Sequence, residues 1–166
     1  VIAALAALIA TAATVPAFAA PLADQEACNS LAYSLAEKAS GKKLPEVEAE
    51  LRSVRQIALN ILSNAIRYTQ AGGQVIVSTA YEPSGDVVMR VRDTGIGMTQ
   101  AEIEQALKPF KQVNALKRGR SDGTGLGLPL TKAMVEANRA RFTITSTPGE
   151  GTLVEVAFPS VRVLAG

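Results

Sequence analysis

The sequence contains no histidine, no tryptophan and only one cysteine, Cys28, among its 166 residues. Without histidine, Ser-His-Asp catalysis, Cys-His catalysis and histidine metal ligation are all excluded. A single cysteine also excludes an internal disulfide and any site with several cysteine ligands. A bound metal would therefore be a hard cation such as Mg²⁺, held by oxygen atoms.

The sequence is also nearly balanced in charge and poor in aromatic residues. Lys and Arg number 17 against 15 Asp and Glu, giving a net charge of +2, and aromatic residues make up 4% of the chain. We expect no nucleic-acid partner, because such partners require a basic surface or aromatic residues on which bases stack. The length suits one domain of ordinary size with extensions.

The first 20 residues form an uncharged, alanine-rich run. Their length suits a membrane span or the apolar part of a secretory signal, and Ala17-Phe18-Ala19 resembles a cleavage site. No basic segment precedes the run, and the first residue is Val rather than Met. The alternatives are therefore a signal-like or membrane-anchor segment, an ordinary helix, and an artefact of a truncated start.

The main domain is predicted over residues 46–160, after a connector over 21–45 and before a tail over 161–166, with Pro45 marking the break. Its first element is predicted to be a helix ending at about Tyr68, because apolar residues recur at helical spacing. These residues are Leu51, Val54, Ile57, Ile61 and Ala65.

The rest of the domain alternates hairpins and helices. Period-two apolar patterns predict strands over 74–80 and 87–93, and again over 141–146 and 152–158. Thr99 and Glu102 form a capping box that begins a short helix, and a further helix is predicted over 126–137. This order predicts an α+β sandwich, in which helices cover one face of an antiparallel-rich sheet.

Two glycine-rich loops lie about thirty residues apart, Asp93-Thr-Gly95-Ile-Gly97 and Gly123-Thr-Gly125-Leu-Gly127-Leu128. A glycine loop that opens a helix presents N–H groups to phosphate, whereas an aspartate beside a glycine turn can accept a hydrogen bond from an amino group. A plain turn is the alternative at Asp93. The dinucleotide fingerprint is not satisfied, because Gln100 stands where it requires Gly or Ala.

Asn60 and Asn64 lie four residues apart and therefore share one face of the first helix, which Arg67 and Tyr68 continue. One interpretation is a solvated helix face that happens to carry asparagine. The other is a site in which an amide oxygen binds Mg²⁺ and Arg67 lies near phosphate.

These motifs resemble those of the catalytic and ATP-binding domain of sensor histidine kinases, a relative of the ATPases of gyrase, Hsp90 and mismatch repair. The resemblance spans about residues 45–160 and rests on five segments in the family's order. They are the N box (60–69), the first glycine box (93–98), the F box (108–112), the second glycine box (123–128) and the final G-x-G-T (149–152). It implies a two-layer α/β sandwich of the Bergerat type, with a mixed, mostly antiparallel sheet.

The resemblance assigns the phosphate end of an ATP site. Asn64 would coordinate Mg²⁺ with support from Asn60, Arg67 would contact the phosphates, and residues 111–123 would form a lid. The backbone amides that would meet the phosphates belong to Gly123, Thr124, Gly125, Leu126, Gly127 and Leu128.

The adenine end is assigned in the same way. Asp93 would accept a hydrogen bond from the adenine amino group. The residues that would surround the base are Tyr68, Gly95, Gly97, Met98 and Thr152.

The residue at position 60, here Asn60, distinguishes kinases from hydrolytic ATPases within this group. Hydrolytic relatives resemble E-x-x-x-N here, with a glutamate that activates water, and a carboxamide cannot take a proton at neutral pH. The resemblance therefore implies a kinase with ATP and Mg²⁺ as cofactors, which transfers the γ-phosphate to a histidine. No histidine is present, so autophosphorylation is not possible in this chain as written.

The implied partners are a histidine-bearing dimerisation domain and a response regulator. A degenerate ATP-binding regulatory module and a hydrolytic ATPase are the alternative functions. We expect a cytoplasmic ATP-binding domain, with residues 1–20 anchoring it to the inner membrane.

Overall fold

A computed structural model describes residues 44–111 and 125–162. The signal-like segment and most of the connector, and nearly all of the predicted lid, lie outside the described residues. Two hairpins and three helices make up the described part. In chain order these are α1 (Leu44–Tyr68), β1 (Val75–Tyr81), β2 (Val87–Asp93), α2 (Gln100–Ala106), α3 (Gly127–Ala137), β3 (Arg141–Thr147), β4 (Gly151–Phe158) and a 3₁₀ turn (Ser160–Arg162).

Helix α1 buries the predicted apolar stripe. The five residues predicted to face the core are between 0% and 9% exposed, which confirms the helical spacing. The helix begins at Leu44 and contains Pro45, which the sequence predicts to mark a break. A proline in the first turn of a helix is tolerated, because the N–H that it lacks would have no partner within the helix.

The four strands form one sheet in the order β1-β2-β4-β3. All pairings between the described strands are antiparallel, which confirms the α+β sandwich with an antiparallel-rich sheet. The inner face is apolar: Met89 pairs with Val156, and Val91 pairs with Val154. Side chains from α1 and α3 pack against this face in one continuous core.

Helix α2 begins at the predicted capping box. Thr99 Oγ1 accepts a hydrogen bond from the Glu102 N–H at 3.3 Å, and Glu102 Oε2 accepts one from the Thr99 N–H at 2.8 Å. The helix ends at Ala106, before Pro109, as the proline predicts. Both ends of α2 are therefore determined locally.

With 25 residues, α1 rises about 38 Å, more than the thickness of a bilayer core. Its polar face excludes it as a span, and no other helix among the described residues is both long and apolar enough. The segment predicted as an anchor, residues 1–20, lies outside them.

Candidate functional site

The inner face of the sheet ends in a row of polar side chains. Asp93 on β2 is the cross-strand partner of Thr152 on β4, which is in turn the partner of Ser146 on β3. Each of the three continues the inward-facing positions of its strand, where a core residue would otherwise lie. Three adjacent strands thus place hydrogen-bonding groups at the same end of an apolar core.

Asp93 is the buried acid of this row, with only 7% of the residue exposed. Its Oδ1 accepts hydrogen bonds from the Gly95 N–H at 2.9 Å and the Thr152 N–H at 3.2 Å. No described residue donates to Oδ2, so this oxygen can accept a hydrogen bond from a ligand. Burial raises the pKa of the Asp93 carboxyl, and the two backbone bonds oppose that rise.

The hydroxyl groups beside Asp93 form a short network. Ser146 Oγ donates to the Gly151 carbonyl at 2.8 Å and accepts from the Met98 N–H at 2.8 Å. It also lies 2.9 Å from Thr152 Oγ1. Because the Ser146 proton is used on Gly151, the Thr152 hydroxyl must donate to Ser146, which leaves its own lone pairs as acceptors.

The loop after Asp93 is fixed between α1 and the second hairpin. The Ile96 N–H donates to the Tyr68 carbonyl at 3.2 Å, and the Gly149 N–H donates to the Ile96 carbonyl at 2.8 Å. The last turn of α1 therefore lies beside the Asp93 loop, as the predicted placement of Tyr68 requires.

Two glycines of this loop are required by close backbone approach. A Cβ on Gly95 would collide with the Tyr68 carbonyl, and one on Gly97 would collide with the Thr147 carbonyl. Gly97 also has φ of +63°, in the left-handed region that favours glycine. The glycines thus bring the loop against α1 on one side and against β3 on the other.

The second glycine loop meets α1 at Asn64. A Cβ on Gly127, the first residue of α3, would lie 3.7 Å from Asn64 Nδ2 and 3.9 Å from its Oδ1. The N-cap residue Leu126 makes no side-chain capping bond, and the first turn carries no acidic side chain. The first N–H groups of a helix have no partner within it, so those at the start of α3, including that of Leu128, can meet an anion beside the Asn64 amide.

One turn before Asn64, Asn60 is half-buried and contacts a residue that the sequence did not single out. Gln56 Nε2 donates to Asn60 Oδ1 at 2.8 Å. Asn60 Nδ2 is buried and has no hydrogen-bond partner among the described residues. A buried amide without a partner is costly, so a ligand oxygen that accepted its hydrogen bond would be stabilising.

The structure brings most of the predicted residues together. Asn64 and Tyr68 are one turn apart, about 6 Å along α1, and they lie beside the start of α3 and the Asp93 loop respectively. Arg67 is exposed in the last turn of α1, and Gly125 follows the predicted lid with φ of +68°. Gly123 and Thr124 lie outside the described residues. Within the described residues, no group of three or more His, Cys, Asp or Glu side chains is placed to hold a metal ion.

Ser146 and Gln56 were missed from the sequence. Ser146 carried a usable signal, because it follows Phe142 and Ile144 at inward-facing positions, where a polar residue is unexpected. Gln56 carried a weaker one. It precedes Asn60 by four residues, a spacing at which two amides on a helix can bond.

The fold and the site together define a nucleotide-binding α+β domain, with a buried carboxylate at the end of the sheet and, beside Asn64, a helix start without a side-chain cap. A family profile described as "Histidine kinase-, DNA gyrase B-, and HSP90-like ATPase" matches residues 49–162. The chain belongs to this family.

Among individual proteins, the chain is similar to the cell-division control histidine kinase PdhS of two Brucella species. It is 70% identical over 130 residues to the protein of Brucella anthropi and 66% identical over 130 residues to that of Brucella abortus strain S19. These matches cover 74% of this chain but only 12% and 13% of the two relatives. The chain thus spans a small part of their length.

Solved structures of histidine kinases have the same fold. Full-length ShkA in complex with AMPPNP superposes with a TM-score of 0.55 at 28% identity, covering 64% of this chain and 21% of ShkA. The mycobacterial sensor histidine kinase MprB gives a TM-score of 0.55 at 24% identity, covering 65% of this chain and 70% of that structure.

Proposed function

We propose that this domain binds Mg²⁺-ATP and transfers the γ-phosphate to a histidine on a separate domain. The observation that carries the proposal is the polar row that ends the inner face of the sheet, with Asp93 buried at its centre. A buried carboxylate with one oxygen left for a ligand is an acceptor for an exocyclic amino group. The relatives in this family are named as histidine kinases, and the ShkA structure holds an ATP analogue.

At the adenine end, Asp93 Oδ2 would accept a hydrogen bond from the amino group of the base. Thr152 Oγ1, whose proton is directed to Ser146, would offer a second acceptor. Gly95 and Gly97 would hold the loop that forms one wall around the base, with Met98 and Tyr68 at its edges. These groups orient the nucleotide without taking part in bond breaking.

The phosphate end fits an anion with a hard cation. Asn64 would offer its amide oxygen to Mg²⁺, and the N–H groups at the start of α3 would meet phosphate oxygens. Arg67 would add positive charge from the exposed end of α1. Mg²⁺-ATP supplies the transferable phosphoryl group together with charge neutralisation, and these residues supply positioning.

We expect ATP hydrolysis to be slow, because position 60 carries an asparagine where hydrolytic relatives carry a glutamate that acts as general base. Its amide pairs with Gln56, and a carboxamide cannot accept a proton from water at neutral pH. Bound ATP would therefore persist until an acceptor arrives, as a kinase requires.

The acceptor would dock beside the start of α3. Phe110, Leu126 and Leu130 are exposed there by 75%, 37% and 50%. The Phe110 N–H donates to the Gly125 carbonyl at 3.1 Å, which places the phenyl-bearing residue next to the second glycine loop. Exposed apolar residues at the phosphate end suit an amphipathic helix that presents a histidine. A response regulator would then receive the phosphate from that domain.

The ATP-binding domain would lie on the cytoplasmic side of the inner membrane, where ATP is plentiful, with residues 1–20 as its anchor. The alternative function is an ATP-binding regulatory module without phosphotransfer.

Acid is expected to weaken adenine nucleotide binding, because protonation turns an Asp93 acceptor into a donor. Burial raises the pKa of Asp93 above the ordinary 3.8, so the loss begins at a higher pH than for an exposed aspartate. Because the raised pKa means that the folded state binds the Asp93 proton more tightly than the unfolded state, the free energy of unfolding is expected to decrease as the pH rises from the unfolded-state pKa of Asp93 through its folded-state pKa. Calorimetric titrations at decreasing pH would measure the midpoint, and an affinity that stays constant down to about pH 4 would contradict this role.

Phosphotransfer is tested by mixing the chain with ATP labelled at the γ-phosphate and a separate two-helix domain that carries an acceptor histidine. We expect label on that domain and none on a matched domain in which the histidine is replaced by glutamine. ATP binding without transfer would favour the regulatory module. Rapid release of inorganic phosphate without an acceptor would favour a hydrolytic ATPase.

A further inference from the structure

Gln56 and Asn60 form a side-chain pair on the face of α1 that carries Asn64. Gln56 is exposed, and its Nε2 donates to Asn60 Oδ1 at 2.8 Å. Asn60 is half-buried and lies one turn before Asn64, whose amide lies against the start of α3. The pair therefore lies beside the phosphate end of the proposed site, with Gln56 on its solvent side.

The pairing determines the direction in which the Asn60 amide points. The oxygen and nitrogen of a carboxamide diverge from one carbon in a plane, so an oxygen held by Gln56 turns the nitrogen inward. Asn60 Nδ2 is indeed buried, and no described residue accepts a hydrogen bond from it. Two donor hydrogens thus point into the protein beside a site that is expected to receive anionic oxygen.

We propose that Gln56 is a positioning residue, which fixes Asn60 so that Nδ2 donates to an oxygen of the Mg²⁺-nucleotide complex. That oxygen belongs either to a phosphate or to a water bound to the metal, and both are acceptors. This inference rests on the proposed function and gives the two asparagines different roles. Asn64 offers an oxygen to the metal, and Asn60 offers a nitrogen to the ligand oxygen.

Gln56 is itself ambivalent, because its amide can donate or accept. If it accepted from Asn60 Nδ2 instead, Asn60 Oδ1 would point inward and could bind the metal. Gln56→Glu can only accept, so it is expected to reverse the Asn60 amide. Gln56→Lys can only donate, so it is expected to preserve the orientation described here.

The first experiment measures the affinity of the full chain for Mg²⁺ and a non-hydrolysable ATP analogue by calorimetry. We expect Gln56→Glu to bind the analogue about tenfold or more weakly, because the reversed Asn60 amide would present an acceptor, and no longer a donor, to a charged oxygen. Gln56→Lys is expected to stay within about threefold of wild type at an ionic strength that screens surface charge. Arg55→Gln is the charge control, because it lowers the charge by one unit at the neighbouring exposed residue.

Asn60→Asp gives a second and independent result. A carboxylate in place of Nδ2 would repel phosphate, so we expect a loss of about a hundredfold. A carboxylate is a good Mg²⁺ ligand, so retained or tighter binding would show that Asn60 binds the metal through oxygen and would overturn the proposal.

The side-chain amide signals of Asn60 provide a readout that does not depend on activity. With ¹⁵N labelling, the Nδ2 protons are expected to shift downfield when the magnesium–analogue complex binds, and not to do so in Gln56→Glu. Equal affinity and equal shifts in Gln56→Glu and Arg55→Gln would refute the role of Gln56. If wild type itself did not bind the analogue, the proposed function would fail instead, so the two failures are distinguishable.

Discussion

Replacing Asn64 by alanine is expected to reduce the affinity for Mg²⁺-ATP by more than about 100-fold, because the amide oxygen proposed to bind the metal would be lost. The fold should survive, since Asn64 is only half-buried and alanine is the better helix former. Calorimetry with magnesium present would measure the loss, and circular dichroism would verify the helix content.

Two controls separate the metal role from a general effect on the helix. Ser63→Ala changes the neighbouring exposed residue and is expected to bind Mg²⁺-ATP like wild type. In the absence of magnesium, wild type and Asn64→Ala are expected to bind ATP equally weakly. An unchanged affinity of Asn64→Ala with magnesium present would remove the metal assignment.

Asp93→Asn is expected to weaken ATP binding by about 100-fold while leaving the fold intact. The amide oxygen can still accept from the N–H groups of Gly95 and Thr152, so the two backbone bonds at Oδ1 persist. The nitrogen that replaces Oδ2 is a donor, and it would face the donor amino group of adenine. Because burial disfavours the charged carboxylate, the neutral variant should unfold at an equal or higher temperature.

Guanine nucleotide is the matched control ligand for this variant. Guanine carries a carbonyl oxygen where adenine carries the amino group, so the new amide donor would suit it. The loss for GTP should therefore be smaller than the loss for ATP. Equal ATP affinity in wild type and variant would show that Asp93 does not contact the base.

Local patterns in the sequence were sufficient to predict the helices and strands of the fold. The apolar spacing in α1 and the capping box at Thr99 depend on residues within one or two turns, and both were predicted correctly. Pro45, expected to mark a break, lies instead in the first turn of α1, because a proline is compatible both with a helix end and with a first helical turn. Residues near Pro45 alone do not decide between these two structures.

The site depended on contacts that sequence periodicity does not encode. The Asp93 carboxylate bonds the backbone of Thr152, 59 residues further along the chain, and this follows from the sheet register. The alternation along β3 places Ser146 on the inner face, and the register of the β3–β4 hairpin then makes it the partner of Thr152. The family resemblance supplied roles for individual residues, but not the Gln56 contact that orients Asn60.

Adenine recognition by the polar row around Asp93, in a magnesium-dependent ATP site, is measured by calorimetric titration of the wild-type chain with ATP and with GTP, each with and without magnesium. We expect ATP to bind, magnesium to tighten this binding, and GTP to bind at least about tenfold more weakly. Absence of ATP binding, or equal affinity for the two nucleotides, would show that this row does not recognise adenine.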